Sequence, residues 1–148
     1  MEHLTGILDN DILWAAFIAW ALAQFLKIVI EFWRVKRLHL GLMFSTGGMP
    51  SSHSAFMVAM ATSVGLREGF DTTAFAIAAA ISIVVMSDAA GVRRAAGKQA
   101  VVINRLVENI ENKGIIVLDK KLKELLGHTP VEVACGALLG VVVAVVMY

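Results

Sequence analysis

The chain has 148 residues, of which 58% are hydrophobic and 17% charged, and its formal net charge is +1. A soluble domain carries about 45–50% apolar and about 25% charged residues, so a mean hydropathy of +0.75 excludes disorder and argues against a water-soluble globule. The near-neutral charge leaves no basic field for nucleic acid, and the length suits one domain, residues 1–148.

The first apolar segment, residues 12–33, is long enough to cross ~30 Å of hydrocarbon at ~1.5 Å per residue. It contains Gln24, Lys27 and Glu31. Lys27 and Glu31 are one helical turn apart and can pair; the simplest reading of Lys27 is an ammonium that snorkels to the membrane edge. The second and third segments, residues 52–66 and 73–87, are shorter, and Asp71 or Thr72 is a candidate N-cap for the third. They read either as tilted bundle helices or as a re-entrant hairpin. A stretch at about 98–126 follows. Val102, Ile103, Leu106, Val107 and Ile110 recur there at helical spacing, with a second stripe at Leu118, Leu122, Leu125 and Leu126. Both stripes predict amphipathic helices at the membrane interface, or else a roof over the bundle or a dimer contact.

The fourth segment, residues 131–148, holds Cys135 and a Gly136-Ala-Leu-Leu-Gly140 close-packing pattern. A single cysteine excludes an internal disulfide and reads as a small buried or lipid-facing residue. No flexible linker or internal repeat stands out, and the N-terminus lacks the marks of a removable signal peptide. The fold class expected is therefore an all-helical, polytopic membrane bundle. With so much apolar flank, a homodimer is expected, with the Gly136/Gly140 face and the interfacial helices as candidate contacts.

Basic residues set the orientation. Residues 1–11 hold none and the link between segments two and three holds Arg67. Arg34, Lys36 and Arg37 follow segment one, and eight Lys and Arg lie between Asp88 and Pro130. The bias places residues 34–53 and 88–130 together in the cytoplasm and both termini outside.

The shared face gathers residues suited to an oxyanion. The start of segment two, with Ser51 and Ser52, offers hydroxyls and unpaired helix N–H groups to a phosphate. Arg93, Arg94, Lys98, Lys36 and Arg37 supply cations. His128 and Glu132, four apart at a helix start, share a face, and a His whose other nitrogen is held by a carboxylate can attack phosphorus. His53 can protonate a leaving oxygen. Each residue also has a plainer role. Thr129-Pro130-Val131-Glu132 spells a capping box, Ser51 or Ser52 can cap segment two, the cations can be topology determinants, and Asp88 can pair with one of them. His3 and His39 read as surface residues, and no carboxylate spacing suits a metal.

Pro50-Ser51-Ser52-His53 resembles the Pro-Ser-Gly-His motif of the type 2 phosphatidic acid phosphatase superfamily, and His128-Thr-Pro-Val-Glu132 resembles its third motif. The whole chain is similar to a small divergent branch, with Gly-Gly-Met-Pro-Ser-Ser-His-Ser and Gly-Val-Arg-Arg-Ala-Ala-Gly-Lys-Gln-Ala as its most specific words. The resemblance implies that His128 is the nucleophile, Glu132 its orienter and His53 the acid. Ser51 and Ser52 would hold phosphate, and Arg93 or Arg94 would stand for the third-motif arginine. It implies metal-independent chemistry on a lipid phosphate or diphosphate through a phosphohistidine, with no cofactor. Departures are clear: Ser52 stands for Gly, Glu132 for Asp, and Leu122 where an Arg is usual. The first motif, Lys, six residues and Arg-Pro, has no match, leaving Lys36 and Arg37 as rough substitutes. The alternatives are a membrane protein that binds or transports the anion without turnover, or a scaffold with no ligand.

Overall fold

In a computed structural model, residues 6–36, 48–111, 122 and 127–148 are described. Among them the chain forms five helices and no strand: α1 (Asp11–Val35), α2 (Ser52–Glu68), α3 (Thr73–Ala90), α4 (Val92–Glu111) and α5 (Pro130–Met147). Small polar residues start four of the helices by accepting a first-turn N–H. Asn10 Oδ1 accepts from Leu13 at 3.1 Å, Ser51 Oγ from Ser54 at 3.4 Å, Thr72 Oγ1 from Phe75 at 3.3 Å and Thr129 Oγ1 from Glu132 at 3.3 Å. Of the two candidate caps for α3, Thr72 takes the place.

The centre of the bundle is α2, which packs against α1, α3 and α5. The core is built from small residues, Ala19 and Ala23 of α1, Ala55 and Ala59 of α2, with Val143 of α5. Small side chains let helix backbones approach closely, which is how helices gain dispersion energy where no hydrophobic force drives them together. The approach is closest at α5. A Cβ on Gly136 would strike the Ser51 carbonyl oxygen, and one on Gly140 would lie 2.6 Å from the Ala55 oxygen. The Gly136/Gly140 face is thus spent on α2 within the chain, which corrects its assignment as a dimer contact.

Three stretches, Asp11–Val35, Thr73–Ile110 and Pro130–Met147, include a window long and apolar enough to cross a membrane. The expected second membrane segment is not among them. At 17 residues, with Ser52, His53, Ser54 and Ser63 along it, α2 is too polar to face lipid, and its neighbours enclose it. It nevertheless runs the height of the bundle, about 25 Å at ~1.5 Å per residue. One end meets α5 through the bond from Ser51 N–H to the Glu132 carbonyl at 3.0 Å, and the other meets α1 through Arg67–Asp11 at 2.7 Å.

After α3 the chain turns at Gly91, whose N–H donates to the Ser87 carbonyl at 2.8 Å, and continues into α4. Here α4 begins at Val92, so Arg93, Arg94 and Lys98 lie on its first turns instead of in a connection. Its buried side carries Ala100 and Asn104, while Val102, Ile103 and Leu106 are exposed. Asn104 acts as a substitute for backbone. Its Nδ2 donates to the Leu122 carbonyl at 2.9 Å, and its Oδ1 accepts the Leu122 N–H at 2.8 Å. Of the second apolar stripe, Leu118, Leu125 and Leu126 lie outside the described residues, as do Arg37, His3 and His39.

Candidate active site

The end of the bundle where α2 and α5 begin and α3 ends collects the chemically interesting side chains. Thr129 starts α5 and holds His128 one residue before it. The His128 N–H donates to the Ala89 carbonyl at the end of α3, at 3.0 Å. Gly127 lies against the Arg93–Arg94 backbone, where a Cβ would strike Arg94 N. These contacts join the start of α4, the end of α3 and the start of α5, and the Ser51–Glu132 bond adds the start of α2. Helix N-termini carry partial positive charge, so gathering them at one place prepares it for an anion.

His128 is 2% exposed. Its Nδ1 lies 3.2 Å from Glu132 Oε2, the oxygen that also accepts the Thr129 N–H at 3.0 Å. The capping box and the histidine partner are thus one carboxylate serving both roles. The main chain at Gly48 lies near the His128 ring and helps to hold its imidazole up. Burial pushes the imidazole below its ordinary value of 6.5, the hydrogen bond and charge of Glu132 pull it back up, and Lys27 adds to the lowering. The His53 ring faces His128 edge-on, with centroids 6.3 Å apart and planes at 64°. His53 is more exposed than His128, yet partial burial, with the charges of Arg93, His128 and Lys27, lowers its imidazole from the ordinary 6.5, and Asp88 pulls it back up.

Ser51 and Ser52 are buried at the start of α2. Ser51 Oγ accepts from both the N–H and the hydroxyl of Ser54, at 3.4 and 3.0 Å. Among the described residues, the N–H groups of Ser52 and His53 meet no acceptor, as expected of a first helical turn. Arg93 Nε bonds Asp88 Oδ2 at 2.6 Å across the Gly91 turn, so Asp88 takes a cation partner. The other cations expected from sequence are placed as follows. Lys98 is exposed beside Val102 and Ile103, Arg94 meets Gly127 through its backbone, and Lys36 caps the Trp33 ring at 4.8 Å. Lys36 stands about 13 Å beyond Lys27 along the axis at ~1.5 Å per residue.

Sequence reasoning missed Lys27. It does not snorkel: it is 2% exposed, it lies within the field of Glu132, and its Cγ is 3.3 Å from where a Gly48 Cβ would be. Its expected partner Glu31 instead meets Arg34 at 3.9 Å. A signal was available. Lys27, six residues and Arg34 reproduce the lysine–arginine spacing of the superfamily's first motif, with Val35 in the place of proline. Leu122, at the place of the third-motif arginine, has its main chain clipped to Asn104. Among the described cations, Lys27 and Arg93 are those within electrostatic reach of both or one of the two imidazoles.

The sequence model of the Divergent PAP2 family matches residues 8–143. An uncharacterized membrane protein of Bacillus subtilis (strain 168), YuiD, is 42% identical over 151 aligned positions that cover 95% of this chain and 96% of its own. No solved structure matches the chain.

Proposed function

This chain belongs to the Divergent PAP2 family, and we propose that it hydrolyses or transfers the phosphate of a lipid phosphate or diphosphate without a metal. In this reading the neutral His128 ring attacks phosphorus through Nε2, while Nδ1–H stays on Glu132. The P–O bond to the lipid breaks as the P–N bond forms, and the protonated His53 ring gives its proton to the leaving oxygen. Water then attacks the phosphohistidine, with His53 now taking the proton, and inorganic phosphate leaves. Lys27, Arg93 and the free N–H groups at the start of α2 face the equatorial oxygens, where charge builds up.

The observation that carries this reading is the pair of rings 6.3 Å apart, with the buried one held by a carboxylate at 3.2 Å. Attack requires Nε2 to be open to the incoming phosphate. The near-complete burial of His128 favours one other reading, an anion pocket kept without turnover.

A panel of phosphatidic acid, phosphatidylglycerophosphate and polyprenyl diphosphates, run without metal on the purified protein, tests the proposal. Phosphate release that vanishes in His128→Ala and falls by ~10²–10⁴ in His53→Ala is the expected result. Saturable binding of these lipids with no release in the unmodified chain would favour the pocket without turnover.

A further inference from the structure

At the opposite end of the bundle, where α1 begins and α2 and α5 end, lies a cavity of about 250 Å³. Its rim carries the ion pair of Arg67 and Asp11, 2.7 Å apart. Ile12, Ala15 and Ser63 line it further in, and the exposed Met147 and Tyr148 close one side. The Ser63 side chain is 9% exposed and, among the described residues, its hydroxyl makes no hydrogen bond. The hydroxyl lines the cavity, where it can donate to a polar ligand atom. On the other side of Arg67 a second hollow of about 290 Å³ adds Asp9 and Glu68.

We propose that this end holds one phospholipid whose headgroup carries both a phosphate and a free ammonium, phosphatidylethanolamine being the simplest. Arg67 takes the phosphate as a planar donor. Asp9, Asp11 and Glu68 outnumber that one guanidinium, so a purely anionic headgroup is repelled, while an ammonium offsets the excess and donates to the carboxylates. Ser63 bonds an ester or glycerol oxygen lower down, and Ile12, Ala15 and Met147 meet the first methylenes. Those apolar contacts are why a lipid fits and a free headgroup does not. The site is separated from the two histidines by the height of α2, so it stands whether or not His128 turns over phosphate.

Native mass spectrometry of the full chain, released from micelles holding equal phosphatidylethanolamine, phosphatidylcholine and phosphatidylglycerol of matched chains, tests this. One retained phosphatidylethanolamine, favoured over both others by about tenfold, is expected for charge-assisted bonds at a partly enclosed site. Arg67→Gln should remove the preference. Ser63→Leu, which keeps the ion pair and fills the cavity, should also remove it and guards against misfolding of the first variant. Added phosphoethanolamine should leave the retained lipid in place. Equal retention of phosphatidylglycerol, displacement by free phosphoethanolamine, or a preference intact in both variants would overturn the assignment.

Discussion

Glu132 is asked to do two things at once, and the two can be separated. Its Oε2 caps α5 through Thr129 N–H and holds His128 Nδ1. Glu132→Gln keeps an acceptor for the cap and loses the charge. Helix stability should therefore change by less than ~1 kcal/mol, while phosphate release drops far more, which thermal unfolding and activity measured together will show. The same variant tests the pH behaviour. Burial lowers the His128 imidazole below 6.5 and Glu132 raises it in part. The neutral His128 ring is the nucleophile and the protonated His53 ring the acid, so both limbs of kcat/KM should lie below pH 6.5, and Glu132→Gln should move the His128 limb lower still. Stability follows the same sign: a folded-state value below the unfolded one means that protons favour the unfolded chain. Stability is then fullest above about pH 6.5 and declines as pH falls through the lowered folded-state value, a trend that thermal unfolding across pH will reveal.

Lys27 offers the third residue-scale test. With Lys27 buried and within the electrostatic field of the two imidazoles and Glu132, Lys27→Met keeps the stem's volume and removes the charge. Phosphate release should fall by ~10²-fold or more, as for loss of one preorganised donor, and Lys27→Arg should restore little because the guanidinium fork needs more room. His128, His53, Glu132 and the serines were legible in sequence because they sit in two short words, Pro-Ser-Ser-His and His-Thr-Pro-Val-Glu. Lys27 was not, because a lone lysine near the end of an apolar helix has a cheaper explanation in snorkelling, and only the spacing to Arg34 argued otherwise. Lys98 is exposed and Lys36 lies over the Trp33 ring, so charge counting alone does not bring them to the two histidines. Sidedness brings cations to one face of the membrane, but which face of its own helix each occupies decides whether it reaches the site.

At the scale of elements, α2 carries the site and the packing together. Its N-cap, Ser51, presents the carbonyl that Gly136 lies against, and its Ala55 and Ala59 receive Gly140. Gly136→Ala should thus push the Ser51 turn away from His128. A destabilisation of ~1–3 kcal/mol is expected for overpacking at such a contact, with a loss of activity larger than that of Gly140→Ala, one turn farther from the rings. Urea or thermal titration beside an activity assay will separate the two. The helices were readable from apolar runs and caps, but the place of α2 was not. The apolar run inside it suggests a membrane segment, and only the packing reveals that its serines and alanines are turned toward three other helices. The extension of α4 back to Val92 was hidden because Gly91 reads as a loop, whereas here it makes a bend between two helices.

For the whole molecule, the starts of α2 and α5 and the end of α3 share one end, while the start of α1 and the ends of α2 and α5 share the other. From the charge bias we propose that the first end faces the cytoplasm. In cells carrying Cys135→Ala, a cysteine at Lys98 should resist a membrane-impermeant maleimide added outside, and one at Asp9 should react; the reverse pattern would invert the orientation while leaving the site intact. The chemistry itself is tested most directly by trapping the intermediate. Metal-free protein quenched in alkali after brief exposure to a ³²P-labelled lipid phosphate should carry a base-stable, acid-labile label on the peptide containing His128, absent from His128→Ala. Release of phosphate at the same rate by the His128→Ala protein, or a label on any other residue, would contradict nucleophilic attack by this histidine.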